Sequence, residues 1–202
     1  MSTENNICPI CLDDLVPTVN CEGNTSGVKR IRLALKDDVL TFPTKRPANT
    51  RTAPEHRVET VTGENLTMKQ GKRMFTLSAK KATAELKYEL EGESLSKSRK
   101  ATLEVYVPNM NAKLTGVLAE ITNRELVILA TLKNGEVHML GDEDEGAELE
   151  TDSSVSGKAT TDPNGASIVF SIAGLPAATI YKGATDHLTT PATATATSGS
   201  GA

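Results

Sequence analysis

Residues 124–141 read RELVILATLKNGEVHMLG, two apolar runs on either side of Asn134-Gly135. Asn-Gly is the strongest short-range hairpin signal, because both residues tolerate positive φ. A two-residue turn predicts that Lys133 faces Glu136, Leu132 faces Val137, Thr131 faces His138 and Ala130 faces Met139. Ile128, Ala130, Leu132, Val137 and Met139 then line one face that something must cover. The opposite face carries the Lys–Glu and Thr–His pairs at the tip and turns apolar at Leu129 and Leu140. This is the pattern of a central hairpin in a packed β-domain, its tip reaching a surface.

Immediately upstream, Met110, Leu114, Val117, Leu118 and Ile121 recur at helical spacing and predict a short amphipathic helix over about 110–122. Pro108 stops the preceding strand, Asn109 or Asn111 can cap the helix, and Asn123 suits a left-handed C-terminal cap. Thr115, Gly116 and Thr122 are weak helix formers, so packing must hold it.

Further upstream, VKRIRLAL (28–35) alternates Ile31, Leu33 and Leu35 against Arg30, Arg32 and Ala34, which predicts a strand. Asp37-Asp38 reads as a turn, with 39–42 continuing the sheet. Strands are also expected at about 58–62, 72–79, 82–91 and 100–107, the last with Leu103, Val105 and Val107 inward. The stretch ATAELKYELEGE has helix-forming composition, yet Ala84, Leu86, Tyr88 and Leu90 alternate with Glu85, Lys87, Glu89 and Glu91. A helix would scatter those four apolar residues, whereas a strand puts them on one face, so period decides for a strand. Residues 43–57 (PTKRPANTRTAPEHR) hold prolines and basic residues without apolar period, and read as a long loop projecting from the body.

Downstream lies an acidic loop, DEDEGAELETD (142–152), in which Glu148 to Glu150 begin a strand. Asp162-Pro163-Asn164-Gly165 is a strong turn signal, and 166–173 alternates Ile168, Phe170 and Ile172 against Ser167, Val169 and Ser171. Residues 1–26 read as an irregular arm; from Gly183 the Thr/Ala/Gly/Ser-rich tail cannot bury a core.

The 202 residues suit one domain with appendages, and a net charge of −4 excludes generic electrostatic adhesion to nucleic acid or anionic membrane. Aromatics are 3% with no Trp, a thin supply for a core of this length, which hints that neighbouring subunits complete the stability. The longest apolar runs fall short of a membrane span, and the N-terminus lacks signal-peptide character. Cys8, Cys11 and Cys21 make no disulfide framework, so reduced thiols of cytosolic origin are expected.

Candidate chemistry is sparse. CPICLDDL (8–15) mimics the start of a zinc finger, but Cys8, Cys11 and Cys21 are a weak metal cluster short of four ligands, with His56 the nearest possible completion. Gly71-Lys72 and Gly157-Lys158 lack the glycine and the Ser or Thr of a phosphate loop. Asp142, Asp144, Glu148 and Glu150 suggest calcium, but Gly146 and Ser153 occupy ligand positions of an EF-hand, and a solvated acidic loop is the plainer reading. His56, His138 and His187 are far apart and no nucleophile elbow is present, so no enzyme activity is expected.

The order of strand, strand, helix (NAKLTGVLAEIT), hairpin (ELVILATLKNGEVHMLG) and then SGKATTDPNGASIVFSI resembles tail tube (major tail) proteins of tailed bacteriophages and prophages. GVKRIRLALKDDV and GKRMFTLSAKKATAELKYEL are similar to the same group, and the likeness covers about 27–173. It implies a mainly β, tail-tube-like sandwich or barrel with one flanking α-helix. The expected layout is an N-terminal arm (1–26), a β-domain (27–182) with the long loop 43–57, and a low-complexity C-terminal tail (183–202). Such a virion protein would form hexameric rings stacked into a tube that conducts DNA, made in the host bacterial cytoplasm, with no cofactor and no membrane. Its partners would be itself, other tail proteins and transiently passing DNA.

Under that reading Glu85, Glu89 and Glu91 are candidates to face the lumen and repel DNA phosphate. The basic Lys45, Arg46, Arg51 and Arg57 are expected to meet Asp142, Glu143, Asp144 and Glu145 of an adjacent ring. The alternatives are an adhesin-like binding or decoration module, or another tail component such as a terminator or distal ring.

Overall fold

The computed structural model describes residues 26–47, 50–80, 83–159, 162–175 and 177–191. In chain order its strands are β1 (Val28–Leu35), β2 (Val39–Thr41), β3 (Thr67–Met68), β4 (Phe75–Leu77), β5 (Glu85–Glu91) and β6 (Ser98–Pro108). After the helix α1 (Ala112–Ile121) come β7 (Leu126–Leu132), β8 (Val137–Leu140), β9 (Glu148–Val155), β10 (Gly165–Leu175) and β11 (Thr179–Ile180). They form three antiparallel sheets, ordered β11-β8-β7-β1-β4, β5-β6-β10-β9 and β2-β3. The protein is therefore mainly β with one α-helix.

The period-two apolar positions of both larger sheets meet in one core. Ile31, Leu33, Ile128, Ala130 and Leu140 of the five-stranded sheet pack with Ala101, Leu103, Val105, Ile168, Phe170 and Ile172 of the four-stranded sheet. Leu114, Leu118 and Ile121 of α1 join them. The helix starts where Asn111 Oδ1 accepts the Leu114 N–H (2.9 Å) and ends before Asn123 at φ 59°, as the two asparagines predict. The other face of the five-stranded sheet is covered as well: Ala34, Val127, Leu129 and Met139 pack with Leu66, Met68, Met74, Tyr181 and Leu188. Burial on both faces is why 126–130 is a continuous apolar run rather than an alternating one.

The central hairpin forms with a different register from the expected one. Thr131 pairs with Val137, Ala130 with His138, Leu129 with Met139 and Ile128 with Leu140, a slip of one residue. The Gly135 N–H donates to the Leu132 carbonyl (3.2 Å), and the Leu132 N–H donates to the Glu136 carbonyl (2.8 Å). Lys133, Asn134 and Gly135 thus make a three-residue loop whose glycine alone takes positive φ (93°), while the Asn134 side chain accepts the Glu136 N–H (3.0 Å). Because the root is apolar on both faces, its pattern does not choose the parity; the turn does.

Other expectations are corrected in part. Residues 58–62 make only isolated bridges, Lys45 with Thr60 and Glu59 with Ile180, and 72–79 shortens to β4. Arg32 does not face solvent but is buried against the second core, its guanidinium 3.6 Å from Asp186. The 162–165 turn is displaced: Gly165 already belongs to β10, and Asp162 instead accepts the N–H groups of Lys158 (2.9 Å) and Ala159 (2.8 Å). The tail expected from 183 onward contributes to the body through 190, because Leu188 is fully buried and its carbonyl accepts the Met74 N–H (2.7 Å). The arm 1–25 and residues 192–202 lie outside the described residues.

Candidate functional site

The outer face of the four-stranded sheet is the feature on which the expected function turns. Cross-strand register puts Glu85 beside Glu104, Lys87 beside Thr102, Glu89 beside Lys100 and Glu91 beside Ser98. The same face continues through Ser171, Val169 and Ser167 of β10 to Glu148, Thr151 and Ser153 of β9. Glu150 occupies the bulge between Thr151 and Leu149 and receives the Lys100 ammonium at 2.9 Å. Glu85, Glu89, Glu91, Glu104, Glu148 and Glu150 are exposed; against them stand Lys87, Lys100 and, at one end of the face, Lys80 with its ammonium 5.9 Å from the Tyr106 ring. Lys87 reaches Glu85 (3.3 Å), and the hydrogen bond to Glu150 raises the Lys100 pKa while lowering that of Glu150. The strand period thus places the three predicted lumen candidates on one open, acidic face.

The basic and acidic candidates are brought together differently. Lys45 Nζ binds Asp142 Oδ2 (3.2 Å) within the same chain. Asp142 also accepts the N–H groups of Asp144 and Glu145 (3.1 Å each) through Oδ1. Burial alone would raise the Asp142 carboxyl, but these donors and the Lys45 ammonium hold it below its ordinary value. Arg51 Nε donates to the Arg46 carbonyl (3.1 Å), and Arg57 ends a short 3-10 turn at Pro54–Arg57. The loop 43–57 is therefore tied back onto the body at Lys45, and Glu143, Asp144 and Glu145 lie beside that tie.

The histidines are kept apart. His56 Nδ1 accepts the Thr52 N–H (3.2 Å) and His187 Nε2 lies 3.0 Å from the Leu66 carbonyl. The one-residue slip moves His138 off the expected wet face beside Thr131. It lies between the sheets with its Nδ1 3.0 Å from the Tyr88 hydroxyl and its Nε2 3.8 Å from Glu136. Burial pushes His138 below its ordinary value, with Glu136 acting the other way, and burial raises Tyr88 to about 12. The hydrogen-bonded pair ties β5 of one sheet to β8 of the other. Sequence reasoning missed it because only the true register brings His138 to β5.

Among the described residues no group of three or more His, Cys, Asp or Glu side chains is placed to hold a metal, and Cys8, Cys11 and Cys21 lie outside them. A shallow open hollow of about 370 Å³ lined by Leu35, Asp37, Thr122, Asn123, Arg124 and Glu125 is polar; the Thr122 hydroxyl in it donates to the Leu118 carbonyl (2.7 Å) and Glu125 binds Lys36 (3.0 Å). No described helix is long and apolar enough to cross a membrane. Comparison with known protein families, with curated proteins and with solved structures finds no match.

Proposed function

We propose that the chain is a structural tile that self-assembles into rings, and that the rings stack into a tail tube of a bacteriophage or prophage. The observation that carries this reading is the four-stranded sheet, whose edge strands β5 and β9 have no partner strand among the described residues. Its strands alternate in direction, so β5 of one copy can pair antiparallel with β9 of the next. Repeating that step closes a barrel without edges, six copies being the number the tail-tube resemblance implies. The acidic outer face would then line the lumen. Glutamates there let a DNA backbone pass without the phosphate neutralisation that makes DNA adhere.

An adhesin-like or decoration module would remain monomeric or trimeric at all concentrations and bind a glycan or cell surface. Light scattering and negative-stain imaging of the purified full chain over rising concentration separate the two. Rings and tubes are expected; a particle that stays monomeric or trimeric at millimolar concentration overturns the proposal.

A further inference from the structure

The register of the four-stranded sheet sorts its exposed apolar residues to two opposite ends. At one end the β5–β6 hairpin carries Leu90, 57% exposed, and Leu95, fully exposed at φ 73° on the tip. Leu90 shares the core-side parity of Leu86 and Tyr88 on its strand but lies two residues beyond Tyr88, towards the hairpin tip. At the opposite end β6 finishes at Pro108, β10 starts at Gly165 and β9 finishes at Val155, with Gly165 paired to both Pro108 and Val155. There Val155 is 46% exposed, and Met110, 41% exposed, is tied by its N–H to Asn164 Oδ1 (3.1 Å).

Charge divides the same way. The hairpin end holds Glu89, Glu91 and Glu93, offset in part by Lys97 and Arg99. The acidic loop 142–145 lies at this end too, since Glu145 Oε2 would lie 3.5 Å from a Cβ on Gly174, beside the pairing of Leu175 with Arg99. The far end holds exposed Lys80, its ammonium 5.9 Å from the Tyr106 ring, together with exposed Lys113 and Lys158. Of the acids at that end, Asp162 is occupied by its own backbone donors, Glu85 is held by Lys87 (3.3 Å), and Glu136 at the tip of the β7–β8 hairpin lies 3.8 Å from His138. Lys45 cannot serve as the opposite-end cation, because it is bound at the acidic loop itself.

We propose that these two ends are the matching halves of one head-to-tail contact between copies of this chain. Leu90 and Leu95, flanked by Glu91 and Glu93, seat against Met110 and Val155, flanked by Lys113 and Lys158. A foreign partner would explain either end alone; a second copy explains why an acidic apolar tip and a basic apolar floor sit at opposite ends of one sheet. Such a heterologous contact does not close on itself and propagates along the strand direction. Opposite charges fix its register and speed encounter, while the apolar residues hold it. The inference rests on the proposed ring-and-tube reading and names the residues of its ring-on-ring contact.

The test uses the full chain with Leu90→Asp/Leu95→Asp in one variant and Met110→Asp/Val155→Asp in a second. Each is expected to form single rings and no tubes. An equimolar mixture is expected to stop at stacks of two rings, because each variant keeps one working end. Normal tubes from either variant, or a mixture that stays as single rings, overturn this contact while leaving ring formation intact. Wild-type protein that makes no rings overturns the underlying reading instead. If an apolar-to-acid variant fails to fold, the exposed charges serve: Glu91→Lys/Glu93→Lys should slow tube growth at least tenfold, and adding Lys113→Glu/Lys158→Glu should restore it. Lack of rescue counts against the contact.

Discussion

Phe170 gives the sharpest test of whether the two larger sheets share one core. It is fully buried at the middle of β10, paired with Leu103 of β6 and Leu149 of β9, and faces β1 and β7. Phe75 is 52% exposed and Phe42 only flanks the second core, so Phe170 is the single phenylalanine buried outright. A phenylalanine side chain buries about 150–250 Å², which at about 25 cal/mol per Å² gives roughly 4–6 kcal/mol as an upper bound. Measured Phe→Ala changes in cores cost about 3–5 kcal/mol. Against a total of about 5–15 kcal/mol this is a large share. For a chain of this size each kcal/mol lowers Tm by about 2–4 °C, so Phe170→Ala is expected to melt about 6–20 °C below wild type. The assay is circular dichroism during heating, at a protein concentration low enough that no assembly forms, since assembly adds its own stabilisation. Phe75→Ala, as control, should cost less than about 1 kcal/mol. A Phe170→Ala protein that melts within about 2 °C of wild type would refute the shared core.

Three further outcomes follow from particular contacts. His138 has a lowered folded-state pKa, so below the ordinary value of about 6.5 the unfolded chain takes up protons that the folded chain refuses. Stability should therefore be complete above that pH and decline as pH falls through the folded value, and urea titrations of His138→Gln between pH 7 and pH 5 should lose that slope. Gly165→Ala would drive a Cβ against the Val107 carbonyl oxygen and to 2.7 Å from the Tyr106 hydroxyl. The carbonyl cannot swing away, so a loss of about 1–3 kcal/mol is expected in chemical denaturation. Leu188→Ala should cost about 2–5 kcal/mol by opening the second core, whereas a surface residue of a detached tail would cost nothing.

Much of the fold was legible because amphipathic period survives packing. The strand reading of 85–91 against its helix-forming composition, the asparagine-capped helix, and the inward set Leu103, Val105, Ile168, Phe170 and Ile172 all follow from which residues share a face. Reading failed where both faces are apolar or where a distant element does the covering. Ala34, Val127 and Leu129 carry no parity signal, so neither the hairpin register nor the position of His138 could be derived. Arg32 looked like a surface residue because nothing local announces Leu66, Met74 and Leu188 on its side. The acidic face was readable residue by residue on β5, but Glu104, Glu148 and Glu150 join it only through pairing.

The amino-acid order by itself determined that this chain is mainly β, that one short helix precedes its central hairpin, and which residues of β5, β6 and β10 turn inward, since period and caps are local properties. Only the tertiary structure decided the hairpin register, the burial of Arg32 and Leu188, the Tyr88–His138 tie and the sorting of exposed leucines and lysines to opposite ends of one sheet. Those depend on which strands become neighbours, and pairing across tens of residues is set by the best total burial rather than by any single segment.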